Sequence, residues 1–162
     1  MATCDETPCD SSRVKHELEG GYELDDDPTR IDLDVVCDFL GKEAYWSKGR
    51  SRSLIEKTFR EAARVVGLYA PDGSTVGYCR AASDEVVFAY LCDVFVLESH
   101  RGRGLGRELV REMVDGSPLK GLRWLLGTVD AHDMYGELGF QKPSFRIMER
   151  PGPKFTGDPQ PE

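Results

Sequence analysis

The chain has 162 residues, 40% of them hydrophobic and 31% charged, with a formal net charge of −8. This length and composition are typical of one soluble globular domain with a substantial core. The acidity is concentrated at the front, since residues 1–38 hold twelve acids and three bases while the remainder holds 17 acids and 18 bases. With no broad basic face and no apolar run near ~18 residues, we expect neither nucleic-acid nor membrane binding.

The N-terminal sequence MATCDETPCD is acidic and lacks an apolar core segment, so it does not resemble a secretory signal. We therefore expect a cytoplasmic location. The five cysteines are an odd number, and Cys79 and Cys92 lie within apolar, strand-like runs. This distribution argues against a disulfide framework, and Cys4 and Cys9 have no second Cys or His pair nearby, so we expect no metal site.

The first half of the chain predicts a short strand and two helices. Residues 1–19 are polar without periodicity and are interpreted as a mobile tail, followed by a domain over 20–150. The segment YELDD (22–26) is a candidate first strand, and the stretch from Asp32 to Trp46 carries a mostly one-sided apolar stripe that indicates a helix. A second helix is predicted over 53–63, with Ser53 as N-cap and Glu56 completing a capping box.

The second half predicts strands separated by helices. Residues 64–70 and 75–82 form a hairpin around the turn PDGS, and 86–97 is a long apolar strand interrupted by one charge, Asp93. An amphipathic helix follows up to Gly116, then a buried strand over 122–129, a short helix around 131–138 and a closing strand over 145–150. The Pro-rich stretch 151–162 is predicted to be an irregular tail. The order indicates a mixed α/β sheet with helices packed on it.

The segment HRGRGLGRELV (100–110) threads arginines between glycines directly before a predicted helix. Glycines let the backbone adopt positive φ and approach a ligand closely, and the first turn of a helix presents free N–H groups. The pattern therefore favours an anion site, most simply a phosphate. It lacks the GxxxxGK[ST] of a Walker loop, and Arg107 stands where a GxGxxG dinucleotide fingerprint needs its third glycine.

Two motifs in this chain resemble those of the GNAT acetyltransferase superfamily. The first is Arg101-x-x-Gly104-x-Gly106, between a strand and an amphipathic helix. The second, about thirty residues later, runs from Ala131 through Tyr135 to the Leu-Gly-Phe triplet at 138–140. The resemblance covers roughly residues 20–150. It implies a mixed, mostly antiparallel central sheet, splayed between two parallel strands and flanked by helices.

The resemblance also implies that acetyl-CoA lies between the strands at 86–97 and 122–129. Its pantetheine arm would pair with the backbone of the first strand. The backbone amides of 102–107, in the glycine loop (100–107), would hold its pyrophosphate. Thr128 stands where relatives often have an asparagine. The residues implied in coenzyme binding are Val94, Phe95, Val96, Arg101, Gly102, Arg103, Gly104, Leu105, Gly106, Arg107 and Thr128.

The implied reaction is direct acetyl transfer in a ternary complex to a primary amine of a small molecule. Tyr135 matches the family tyrosine that often protonates the departing thiolate. Many relatives have Glu-Asp where this chain has Cys92-Asp93. Asp93 is thus the nearest candidate base, but a buried ion pair explains a charge inside an apolar strand equally well. Tyr90 or a relayed water is an alternative base.

In relatives the acceptor pocket is built partly by the connection between the first two helices, here YWSKGRS (45–51). Tyr45, Trp46 and Tyr90 are the residues predicted to contact the acceptor. The bases Lys48, Arg50 and Arg52 suggest a carboxylate-bearing amine. Two alternatives stay open: acetylation of proteins or peptides, and a non-catalytic acyl-CoA sensor. A homodimer is also left open, since dimers are frequent in such families.

Overall fold

The computed structural model describes residues 15–116, 118–143, 146–150 and 152. Its strands are β1 Lys15–Glu17, β2 Glu23–Asp25, β3 Arg64–Tyr69, β4 Thr75–Ser83, β5 Phe88–Val96 and β6 Arg123–Leu125. Its helices are α1 Leu33–Asp38, continued by a π-helical segment Phe39–Glu43, then α2 Arg52–Arg60, α3 Leu105–Asp115 and α4 His132–Glu137. Short 3-10 turns lie at Glu19–Gly21, Pro28–Arg30 and Glu98–His100. None of the helices in these ranges is long and apolar enough to cross a membrane.

The six strands form one sheet in sequence order, antiparallel throughout except for the parallel pair β5–β6. The β3–β4 hairpin turns at Gly73, whose φ of +84° suits glycine. Helix α3 lies in the crossover from β5 to β6, as a parallel pair requires. The predicted fold class is confirmed: a mixed, mostly antiparallel sheet that opens between its two parallel strands.

Helices cover both faces of the sheet. Alternation along β3 sends Val66 and Leu68 into one core and Val65 and Tyr69 into the other. The first core is completed by α3, whose Leu109, like the other fully buried positions of that helix, faces the strands. The second core is covered by α1, the π-helical segment and α2. Burial on both faces explains why β3 reads as a continuous apolar run.

Several predicted boundaries are wrong. Residues 15–17 form the edge strand β1, paired with β2, although they were assigned to the N-terminal tail. Helix α2 begins one residue earlier than predicted, because the hydroxyl of Ser51, rather than Ser53, accepts from the Leu54 N–H. The predicted closing strand is absent from residues 146–150, and β6 pairs over only three residues. The predicted tails over 1–14 and 153–162 lie outside the described residues.

Candidate active site

A bulge in β5 opens the sheet. Tyr78 pairs with Phe95 but Arg80 pairs with Cys92, so β5 has one residue more than β4 in this interval. Asp93, inside the bulge, has a φ of +54°, a left-handed conformation that is uncommon for residues other than glycine. Parallel pairing with β6 stops at Tyr90, while β5 continues to Val96. The cleft-side edge of β5 beyond Tyr90 therefore has no paired strand within the described residues.

Three donors from distant parts of the chain hold the Asp93 carboxylate. Arg80 Nε lies 2.6 Å from Oδ2, and Oδ1 accepts from Arg50 Nη1 at 3.1 Å and from Trp46 Nε1 at 3.3 Å. Only 2% of the Asp93 side chain is exposed. Both carboxylate oxygens accept hydrogen bonds from these donors, and Asp93 does not line the cavity described below, so the side chain is not presented to a ligand there. The geometry favours the ion-pair interpretation of Asp93 over the base.

The glycine loop has the backbone conformation of an anion site. Gly102 and Gly104 both have a φ of +76°, and an added Cβ at either would meet nothing within 4 Å, so backbone conformation rather than crowding requires glycine there. Gly104 caps α3 without a side-chain hydrogen bond. The amides of the first turn, from Leu105 to Arg107, therefore have no intrahelical acceptor. They form an N–H cluster at the positive end of an 11-residue helix.

The three arginines of the loop have different environments. Arg101 Nε donates to the Val96 carbonyl at 2.8 Å, which ties the loop to the end of β5. Arg107 Nη2 pairs with Glu137 at 2.5 Å, while its buried Nε has no hydrogen-bond partner in the described part of the chain. An unpaired buried donor is costly, so Arg107 Nε fits an oxygen acceptor supplied by a ligand. Arg103 is exposed and does not line the cavity described next.

A cavity of about 570 Å³ joins the end of β5, the glycine loop and α4 to the segment before α2. It brings together most of the predicted site residues. These are Tyr45, Trp46, Val94, Phe95, Val96, Arg101, Gly102, Gly104, Leu105, Gly106, Arg107 and Tyr135. A cavity of this size suits a cofactor-sized ligand.

Tyr135 lies in α4 and its ring packs edge-to-face against Phe140, with centroids 5.7 Å apart. The side chain is buried, and burial raises the pKa of the phenol to about 12. Its hydroxyl has no hydrogen-bond partner among the described residues. At neutral pH Tyr135 is therefore a protonated, uncommitted donor beside the cavity.

Four predicted site residues lie outside the cavity lining: Arg103, Asp93, Tyr90 and Thr128. The Thr128 hydroxyl accepts from the Ala131 N–H at 3.2 Å, which stabilises the turn leading into α4. Tyr90 pairs with Ala82 on β4 and is 40% exposed, and burial of part of its ring raises its pKa. Neither residue lines the cavity, and Tyr90 is the last residue of β5 that pairs with β6.

The three basic residues predicted to attract the acceptor, at positions 48, 50 and 52, do not line the cavity. Arg50 is engaged by Asp93, Arg52 pairs with Asp34 and Glu56, and Lys48 is exposed outside the lining. Sequence reasoning named no site role for several other lining residues. These are Phe39, Glu43, Ala44, His100, Asp130, Ala131 and Met134. Ala131 belongs to the recognised Tyr135 motif and Met134 adjoins Tyr135, and that proximity was the available signal.

Known proteins resemble this chain along most of its length. A Xanthomonas campestris pv. campestris protein assigned to the GNAT family of acetyltransferases is 34% identical, covers 82% of this chain and 94% of its own, and superposes with a TM-score of 0.74. A Gibberella zeae protein named as an acetyltransferase is 28% identical in an alignment of length 150 that covers 78% of this chain and 82% of its own.

A phosphinothricin acetyltransferase from Sinorhizobium meliloti, solved in complex with acetyl-CoA, shares the fold at 18% identity, with a TM-score of 0.61 over 75% of each chain. The acetyltransferase (GNAT) family itself matches residues 32–140, which include the bulge, the glycine loop and the Tyr135 motif. With that match and the identity to the Xanthomonas protein, the chain belongs to the GNAT family of acetyltransferases.

Proposed function

We propose that this protein is an acetyl-CoA-dependent N-acetyltransferase that moves the acetyl group directly to a primary amine of a small molecule. The observation that carries the proposal is the cavity, where an unpaired strand edge, a glycine loop at a helix N-terminus and a buried tyrosine meet. Each of these groups suits one part of a thioester coenzyme: the amide-bearing arm, the phosphates and the sulfur. Their convergence in one cavity is hard to explain by packing alone.

The described residues fit acetyl-CoA. The open amides of 105–107 and the unpaired Arg107 Nε are donors suited to the pyrophosphate. The free edge of β5 from Val94 to Val96 suits the amide-bearing pantetheine arm, although Arg101 Nε already occupies the Val96 carbonyl. A Cβ added at Gly106 would lie 3.8 Å from Val96 Cγ2 and 3.9 Å from Met134 Sδ. A side chain at this position would therefore enter the space between β5 and α4.

Acetyl-CoA supplies an acetyl group activated as a thioester. The protein's part is to stabilise charge as it develops. Backbone N–H groups of Val94 or Phe95, at the cleft edge of the bulge, are the candidate donors to an oxyanion. Tyr135 is the candidate donor to the leaving sulfur.

The high pKa of Tyr135 limits how far its proton moves. Complete transfer from a phenol of pKa about 12 to a thiolate whose conjugate acid has a pKa of ~8.5 is uphill by roughly 5 kcal/mol. Tyr135 therefore acts mainly by donating a hydrogen bond to the developing thiolate. We propose that Asp93 positions the bulge rather than acting as base, and that water in the cavity takes the proton of the ammonium.

The test follows CoA release from acetyl-CoA with a panel of amines, comparing the wild type with Tyr135→Phe. We expect an acceptor-dependent rate that falls about 10–100-fold in the variant, while the Kd for acetyl-CoA stays within threefold. A matched control is Tyr69→Phe, because Tyr69 is also buried, its hydroxyl has no hydrogen-bond partner among the described residues, and it does not line the cavity. An unchanged rate in Tyr135→Phe would remove this residue from the mechanism. Failure of the wild type to bind acetyl-CoA would overturn the function.

A further inference from the structure

The acceptor half of the cavity has a preformed aromatic wall. Phe39 stacks on Phe95 of β5, with ring centroids 4.1 Å apart. The Trp46 ring is tilted against Phe39 and edge-to-face with Tyr45, with centroid separations of 6.3 and 5.0 Å. Hydrogen bonding of Trp46 Nε1 to Asp93 further fixes the indole. Aromatic faces held in this way attract cations as well as apolar groups.

The charge beside this wall is negative. Glu43, at the end of the π-helical segment, lines the cavity, and Asp130 lines it from the turn before α4. Neither carboxylate forms an ion pair or a hydrogen bond within the described residues. The two arginines of the lining belong to the glycine loop. The other basic side chains around the wall are engaged by Asp38, Asp93, Asp34 and Glu56 or, like Lys48, do not line the cavity.

We propose that the acceptor is a diamine, or a longer polyamine, without a carboxylate. One ammonium group is held by Glu43 against the Tyr45–Trp46 wall while the other amine reacts. This inference rests on the proposed function and reverses the sequence-based expectation of a carboxylate-bearing acceptor. A carboxylate would meet Glu43 and Asp130 and find no uncommitted cation beside the wall in the described part of the chain.

The reaction balances without a further reagent. The neutral amine nitrogen attacks the thioester carbonyl carbon, a C–N bond forms and the C–S bond breaks. The sulfur leaves with the bonding electrons, and one proton passes from the amine nitrogen to the sulfur. The products are the monoacetylated diamine and free CoA, and the distal ammonium keeps its proton throughout.

Four probes of matched length test this inference: 1,4-diaminobutane, n-butylamine, ornithine and 4-aminobutanoate. We expect kcat/KM to be highest for 1,4-diaminobutane, about tenfold lower for n-butylamine, and lowest for the two carboxylates. Glu43→Gln should raise the KM for 1,4-diaminobutane about tenfold, with little effect on n-butylamine or on the Kd for acetyl-CoA. Glu61→Gln, an exposed carboxylate that pairs with Arg60 away from the cavity, is the matched control and should change none of these values.

The outcomes separate the two proposals. If 4-aminobutanoate or ornithine matches 1,4-diaminobutane, or if Glu43→Gln leaves the KM for the diamine unchanged, the acceptor inference is wrong and acetyl transfer stands. Acetyl-CoA binding without CoA release for any of the four amines also refutes the diamine acceptor. No binding of acetyl-CoA, measured by calorimetry on the full chain, overturns the proposed function itself.

Discussion

Replacing Asp93 by asparagine removes the negative charge that holds two nearly buried guanidinium groups. The side chains of Arg80 and Arg50 are only 13% and 19% exposed, so water replaces little of the lost attraction. Breaking a buried ion pair costs about 3–5 kcal/mol, and the asparagine carbonyl keeps one acceptor, so we expect a loss near 3 kcal/mol. For a domain of this size that corresponds to a fall in Tm of roughly 6–12 °C.

The measurement is urea unfolding at pH 7, followed by far-ultraviolet circular dichroism, with Asp38→Asn as the matched control. Asp38 pairs with Lys42 at 2.7 Å, nearly the distance of the Asp93–Arg80 pair, but both side chains are mostly exposed. That pair should contribute no more than about 0.5 kcal/mol. The double variant Asp93→Asn/Arg80→Gln should cost at least about 1 kcal/mol less than the two single losses together. A loss for Asp93→Asn within 1 kcal/mol of the Asp38→Asn value would refute the reasoning.

Two further predictions follow from the glycine loop and from Tyr135. Gly104→Ala forces a side chain into a left-handed φ of +76°, so we expect about 1 kcal/mol lower stability and at least tenfold weaker acetyl-CoA binding by calorimetry. Gly73→Ala imposes similar strain at a φ of +84° in the β3–β4 turn and should leave that Kd unchanged; equal Kd values for the two variants would remove the loop from the site. Burial raises the pKa of Tyr135 from 10.0 to about 12. Its contribution to the free energy of unfolding is therefore fully present below pH 10, and up to roughly 3 kcal/mol of that free energy is lost as the pH rises towards 12, because the unfolded chain ionises first. In urea titrations at pH 9 and 11, Tyr135→Phe should therefore lose less stability than the wild type, and parallel losses would contradict the burial argument.

Local patterns were enough to predict several of the elements that surround the cavity. The glycine loop could be predicted because positive φ and exposed amides are properties of a short stretch of chain. Helix α3 could be predicted from the spacing of its apolar residues. Helix boundaries were less predictable. Ser51 and Ser53 are equally good N-caps in sequence, and the choice between them depended on the path of the preceding loop. The edge strand β1 carries no apolar pattern, since all three of its residues are exposed, so only pairing with β2 reveals it.

The sequence by itself determined the family, most of the sheet-and-helix order and the position of the glycine loop, because each depends on motifs or periodicities within a few residues. Only the tertiary structure decided what the charged residues do. Asp93 pairs with Arg50 and Arg80, which lie 43 and 13 residues away in the chain, and this ion pairing is the basis for proposing a positioning role in place of a base. Arg50 is engaged by this ion pair and does not line the cavity, whereas Glu43 does. Burial and ion pairing depend on groups that the fold brings together from distant segments, and no local pattern contains that information.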